Sequence, residues 1–478
     1  MSDNNQNPNE EDFEDHKSAP SEKDEDEQDV IYLDEDEIEL VDNEDNDFQT
    51  INESEIGDPN QYDDGQILAQ EIIQDDSIIQ FNAHKDSVFC VQLVPHEPFN
   101  MFISGDCNDK AYVWKIVKEA PESPAENNST DQEESKTEDS KEPTTDASSH
   151  TFQIKTVVVK ELEGHTETIE IAKFNHDGKF LVTGGMNNQL RIWNAEQDAF
   201  DLKYVITDGP TEDLNFLEWH PKGNVFITGG KDYLIWLYNG GNGTFISCLA
   251  GHEAEVFQAK FTTSDGGKHV VSSSADKTIR VWAPLKNECL RIIKNTSTSG
   301  ISGKFHEADI NCFQLHHERP LIVSGDISGK VFYSHLLTGE VGTLLGTHVD
   351  SVESIVFCKT LPVCVSAGID STINIYDLAT NDIRFKINPT GEYGGFTKLQ
   401  FSQVIPHVLL ASSTLGEFLV IDVRDGQTLR NFKGHAAPIN DFVEVKNLEL
   451  VVTGGDDNQC LVFDLSEVYQ QQRVALTN

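Results

Sequence analysis

His252, Ser272, Asp276 and Trp282 place an imidazole, a hydroxyl, a carboxylate and an indole N–H within one short stretch of chain. In another setting such residues form a nucleophile–base–acid set, the carboxylate orienting the imidazole and the imidazole activating the serine. The set returns, whole or weakened, as His84, Ser104, Asn108 and Trp114, as His165, Thr183 and Trp193, as His348, Ser366 and Asp370, and as His435, Thr453, Asp457 and Phe463. A catalytic site does not usually occur many times in one chain, so the recurrence points to structural hydrogen bonding. Other signatures of chemistry are absent. Gly303-Lys304 and Gly329-Lys330 lack the upstream Gly and the following Ser/Thr of a phosphate loop, and there is no HExxH, DxDxDG or GxSxG run. His316-His317 has no Cys or carboxylate at ligand spacing. No enzyme activity, metal or cofactor is expected.

The elements that position these residues are read from a repeat. Between Phe81 and Leu465 each copy offers a Gly-His or lone His, an alternating apolar strand, a Ser/Thr-Gly turn and a strand ending in an aromatic. The second copy shows it as Gly164-His165, Ile169 to Phe174, Thr183-Gly184-Gly185 and Leu190 to Asn194, and the fourth as Gly251-His252, Ser272 to Ser274, Asp276 and Ile279 to Trp282. Further copies begin at His84, near Asp208, at His306, at His348, near Glu392 and at Gly434-His435, eight in all. Most steps are about 42–45 residues, the period of a four-stranded propeller blade. Two longer steps contain the acidic stretch of about 119–150 and the polar run Asn295 to Gly300, both between strand patterns where a loop absorbs them. The expected fold is all-β, an eight-bladed propeller over 77–468. After Asp464 little chain remains for an outer strand, so Ile78-Ile79-Gln80-Phe81 is expected to pair with the last blade and close the ring.

These repeats resemble the WD40 family over about 80% of the chain. Three copies depart from the pattern: the third lacks Gly-His, the fifth has Ser334 in the Trp position, and the seventh has Ile421 and no His. The resemblance implies that His, Ser/Thr, Asp and Trp form a buried network tying loop to strands. It also implies that positions three and five past the His line the top face around the central channel. Those positions are Phe89, Glu170, Asp213 with Asn215, Glu255 with Phe257, Asp309 with Asn311, Glu353 and Asn440, and the residue before the turn Asp adds Asp456. Six carboxylates with two aromatics suit a basic peptide, whose cations pair with carboxylates and whose stems pack on rings.

Charge supports such a partner. The 478 residues carry a formal net charge of −47. Residues 1–76 hold 29 acidic side chains against Lys17 and Lys23, and the 119–150 stretch adds roughly −8. Both stretches are too polar to bury a core and are expected to be disordered, and a short C-terminal tail is expected over 469–478. Direct nucleic-acid binding is disfavoured by like charge, and self-repulsion favours a monomer. No apolar run approaches the ~20 residues that span a bilayer, and no signal segment opens the chain. Eight scattered cysteines without a CxxC pair read as core residues in a reducing compartment, giving a cytoplasmic and also nuclear expectation.

The acidic N-terminal stretch with Asp29 to Asp36, the eight repeats and the minimal C-terminal extension together resemble the angio-associated migratory cell protein family. Its fungal member is a ribosome-assembly chaperone. The resemblance implies a client that is a basic, newly made large-subunit ribosomal protein of the L10/L16 type, held by its N-terminus on the acidic top. Two other classes would use an acidic face: a histone-binding chromatin protein, which usually carries a helix packed on the propeller side, and a signalling or ubiquitin scaffold, which usually carries an adaptor domain. Neither addition is evident in the sequence. Val30-Ile31-Tyr32-Leu33 followed by acids has the form of a SUMO-interacting strand.

Overall fold

The computed structural model describes residues 74–119, 153–186, 188–295, 305–387 and 393–477. The acidic stretch up to residue 73, the insertion after Glu119 and the Val30–Leu33 motif lie outside the described residues. Strands assemble into eight four-stranded antiparallel sheets, seven of them in plain sequence order. Each sheet is one blade, numbered here from the N-terminus, with its first strand innermost.

Burial explains the sequence pattern of each strand. Second strands such as Val363–Gly368, Val408–Ser413 and Leu450–Gly455 are buried at every position, because a neighbouring blade covers each face. Outermost strands such as Asp201–Ile206 are mostly exposed. The glycine of the Ser/Thr-Gly element has a packing reason. A Cβ at Gly325 would lie 2.7 Å from Val352 of the next blade, and one at Gly454 would lie 2.7 Å from Val91. Only a bare backbone lets the blades approach so closely.

The ring closes as the sequence predicts. Ile79, Gln80 and Phe81 pair antiparallel with Val462, Leu461 and Cys460, completing the eighth sheet with chain from the other end. Phe81 then stacks on Trp114 of blade 1, ring centroids 4.5 Å apart and 7° from parallel. One apolar cluster spans this seam, joining Val88, Phe102 and Trp114 to Val445, Leu450 and Val462. Closure covers the edge of strand Cys460–Asp464, along which another chain could otherwise add.

Two features go beyond the sequence reading. Residues Ser466–Thr477, expected only as a short tail, form a helix. Its Val468 and Tyr469 join the core of blades 7 and 8, and the Tyr469 hydroxyl donates to the buried Glu444 carboxylate at 2.6 Å. A helix packed on the propeller is therefore present, although the sequence showed none. The insertion is also placed more sharply. Strand Ala111–Glu119 pairs with Gln153–Leu162 out to Glu119–Gln153, so the insertion leaves blade 1 at the end opposite the His-bearing loops.

Candidate partner-binding face

The recurrent His sets are closed internal networks. In blade 4 the His252 Nδ1 is 2.8 Å from Asp276 and its Nε2 is 2.7 Å from the Ser272 hydroxyl, which in turn accepts from the Trp282 indole at 2.8 Å. Blade 6 repeats this with His348, Asp370 and Ser366, and Tyr376 stands where the Trp does. Blade 8 uses His435, Asp457 and Thr453. Ser272 is fully buried and its hydroxyl is engaged on both sides, so no substrate can reach it. Burial pushes the imidazoles of His252, His306 and His348 below their ordinary range against the pull of the Asp partners, favouring a neutral ring that donates from Nδ1 and accepts at Nε2.

Blades 1 and 5 differ in one respect. His84 bonds Asp106 at 2.8 Å and His306 bonds Asp326 at 2.7 Å, each acid lying two residues earlier than Asp276 does in its copy. Asn108, assigned to the network from its spacing, instead donates its backbone N–H to Asp106. In blade 2, His165 meets Thr183 at 2.7 Å and Trp193 donates to Thr183 at 2.9 Å, but the His165 Nδ1 has no hydrogen-bond partner among the described residues. Burial, aided by Arg191, lowers its pKa to about 4.

The networks hold the loops that present the face. Asp276, Asp370 and Asp457 also accept the backbone N–H of the residue after the His: Glu253, Val349 and Ala436. Five residues past the His, or past Pro210 in blade 3, which has no His, the innermost strand breaks register in a β-bulge at Phe89, Glu170, Asn215, Phe257, Glu353 and Asn440. Thr397 of blade 7 occupies the same bulge, and the sequence reading did not pick it out. A bulge turns one side chain out of the pleat, and bulges favour binding rims. Asn311 stands just before its strand, at the corresponding place in blade 5.

Not all of these side chains reach outward. Phe89, Glu170, Asn215, Glu353 and Asn440 line the central cavity. The asparagines also staple neighbouring blades: Asn215 donates to Val256 O at 3.0 Å and Asn440 to Val88 O at 3.1 Å, while Asn311 donates to Ser351. Asp213, Glu255, Phe257, Asp309 and Asp456 are outside the cavity lining, in or beside the loops that lead into the innermost strands. Asp213 pairs with Lys231 at 2.7 Å, Glu255 accepts from Asn215 at 2.8 Å, and Asp456 accepts from Asn440 at 2.6 Å.

The carboxylates of this face are concentrated on blades 2 to 6. Their loops supply Glu167, Glu212, Asp213, Glu253, Glu255, Glu307, Asp309 and Asp350, and their bulges supply Glu170 and Glu353, against Lys231, Lys277 and Lys330. Burial, with Asp213 nearby, raises the Glu170 pKa, a cost that an arriving cation would relieve. Deeper in the channel the sign changes. Lys173 faces Glu218 at 3.7 Å, Lys398 donates to Phe442 O at 2.9 Å, and Lys260 donates to Phe313 O at 3.0 Å. Burial lowers the Lys260 pKa to about 8. The sequence reading did not pick out these lysines, though Lys173 and Lys260 both stand eight residues past the His of their copies.

Known proteins share this architecture. The WD40 pattern (WD domain, G-beta repeat) matches residues 76–115, 156–194, 202–239, 243–283 and 426–464. The chain is a WD40-repeat β-propeller of eight blades. Within that class it is related to the angio-associated migratory cell protein of Homo sapiens, 26% identical over 81% of this chain and 80% of that one. The ribosome assembly protein SQT1 of Saccharomyces cerevisiae is 21% identical over 84% of this chain and 90% of that one. The crystal structure of Chaetomium thermophilum Sqt1 bound to the N-terminus of the ribosomal protein L10 superposes with a TM-score of 0.63 at 20% identity, covering 82% of this chain and all of that one. WD40 propellers are scaffolds, as a class without catalysis. Among the described residues no helix is long and apolar enough to cross a membrane.

Proposed function

We propose that this chain is a non-catalytic chaperone that binds the basic N-terminus of a newly made large-subunit ribosomal protein of the L10 type and delivers it to the 60S pre-ribosome. The observation that carries this reading is the concentration of carboxylates on blades 2 to 6, with the loops of blades 4 to 6 held in place by His–Asp networks. A nascent ribosomal protein exposes a cationic segment that seeks RNA, and an acidic surface screens it until rRNA competes. The related SQT1 is named a ribosome assembly protein, and a Sqt1 structure holds the L10 N-terminus. The working compartment is the cytoplasm, with passage to the nucleus, and the protein acts as a monomer.

The packed C-terminal helix favours one other reading, a histone-binding chromatin protein, whose clients are also basic. One experiment separates them. The tagged chain is purified from its own cells at low and moderate salt, and the co-eluting proteins are identified by mass spectrometry. The chaperone reading predicts one near-stoichiometric large-subunit ribosomal protein, lost when Glu170, Glu255 and Glu353 are replaced by Lys. Enrichment of histones, or of a signalling or ligase complex without a ribosomal protein, would overturn it.

A further inference from the structure

The top face also carries exposed apolar residues that the acidic reading leaves unused. On blades 5 to 7 the loops present Ile327, Val349, Ile369 and Leu415, which are 46%, 88%, 40% and 54% exposed. They occupy the same loop registers that carry acids elsewhere. Val349 follows its His as Glu253 does in blade 4, and Ile327 and Ile369 stand where Asp456 does in blade 8.

The four side chains are joined through short links. Val349 N–H bonds Asp370, the residue after Ile369, and Ile369 N–H bonds Ser351 O. Val352 N–H bonds Asp326 O, which sets Ile327 beside the same loop. Between Ile369 and Leu415 the backbone is bare. A Cβ at Gly395 would lie 2.9 Å from Ile369, and one at Gly394 would lie 2.8 Å from Leu415. A shallow apolar surface results, across the channel mouth from the carboxylates of blades 2 to 4. Exposed apolar patches rimmed by polar groups mark sites where proteins bind, and isolated exposed residues do not.

We propose that this apolar arc is the second half of the client site, taking large apolar or aromatic side chains of the same basic segment that the acidic arc holds. The proposal rests on the client reading above and adds what the client must carry: a cationic cluster and an apolar cluster in one segment. Charge complementarity selects a basic partner, because an acidic one would be repelled by Asp350 beside Val349 and by Glu167, Glu212 and Glu253 across the channel mouth. Division of labour follows. Charge sets the encounter and its salt dependence, whereas apolar contact is insensitive to screening and slows release.

The test is equilibrium and kinetic binding of a fluorescent synthetic peptide of the L10 N-terminus to the full chain, with a second peptide whose large apolar and aromatic residues are serine. The chain variant is Val349→Ser with Leu415→Ser, the two most exposed of the four, whose loss leaves the core intact. The proposal predicts that this variant weakens the first peptide about tenfold, or 1.4 kcal/mol. The loss should appear in the release rate, with the salt dependence unchanged, and the second peptide should not distinguish variant from parent. Equal affinity of parent and variant for the first peptide would overturn the apolar arc while leaving the acidic reading intact. Failure of both peptides to bind the parent chain would overturn the client reading itself.

Discussion

Ser272 shows how little freedom the recurrent residues have. Its hydroxyl lies between His252 and Trp282 at 2.7 and 2.8 Å, and no part of it is exposed. Ser272→Ala strands two buried donors or acceptors, so stability should fall by about 2–3 kcal/mol in urea denaturation. Partner binding at saturating concentration should be kept. His165 gives a prediction in pH. Its pKa is lowered to about 4 in the fold, against about 6.5 for an unperturbed imidazole. The unfolded chain therefore takes up a proton first as pH falls, and the stabilisation is present above about 6.5 and lost towards 4. The unfolding free energy should drop over that window by an amount on the order of 3 kcal/mol, and His165→Gln should flatten the drop. The imidazole–hydroxyl pairs were legible in the sequence because they repeat. The acid in blade 1 was not, since Asn108 holds the expected position while Asp106, two residues earlier, reaches the same ring atom.

Among the elements, the closing strand and the terminal helix carry opposite lessons. The strand Ile79–Phe81 was legible because the last repeat lacks an outer strand and the first is preceded by a spare one. Phe81 is 3% exposed and stacks on Trp114, so Phe81→Ala should cost about 3–5 kcal/mol and lower Tm cooperatively. The helix Ser466–Thr477 was not legible. Three consecutive glutamines dominate it, and its buried stripe Leu465, Val468, Tyr469 and Gln472, although at helical spacing, is short and ends in a polar residue. Tyr469→Phe removes the donor that meets Glu444 alongside Ser402, in a site with almost no exposure. A loss of about 1–3 kcal/mol is expected, read from the urea midpoint. The bulges at position five also escaped the sequence, because a bulge is set by pairing across two strands and leaves no fixed residue type: Phe, Glu, Asn and Thr all occupy it.

At the scale of the whole molecule, eight similar blades make a ring whose top loops carry carboxylates on blades 2 to 6 and exposed apolar residues on blades 5 to 7. Net charge predicted a basic partner, but charge alone does not say which carboxylates are free. Asp456 is engaged by Asn440 and Asp213 by Lys231, whereas Glu167, Glu212 and Glu253 stand exposed in their loops. That distinction needs coordinates, since it depends on neighbours from other parts of the chain. The central claim is that these blades hold a cationic segment by charge. It is tested most directly by binding the L10 N-terminal peptide to the parent chain and to Glu167→Lys with Glu212→Lys and Glu253→Lys, over a range of salt. These three exposed positions can be reversed without disturbing the fold. The account predicts affinity that falls steeply with salt in the parent, and a reversed variant at least about tenfold weaker with a flatter salt dependence. Equal affinity of the two proteins, or binding indifferent to salt, would contradict it.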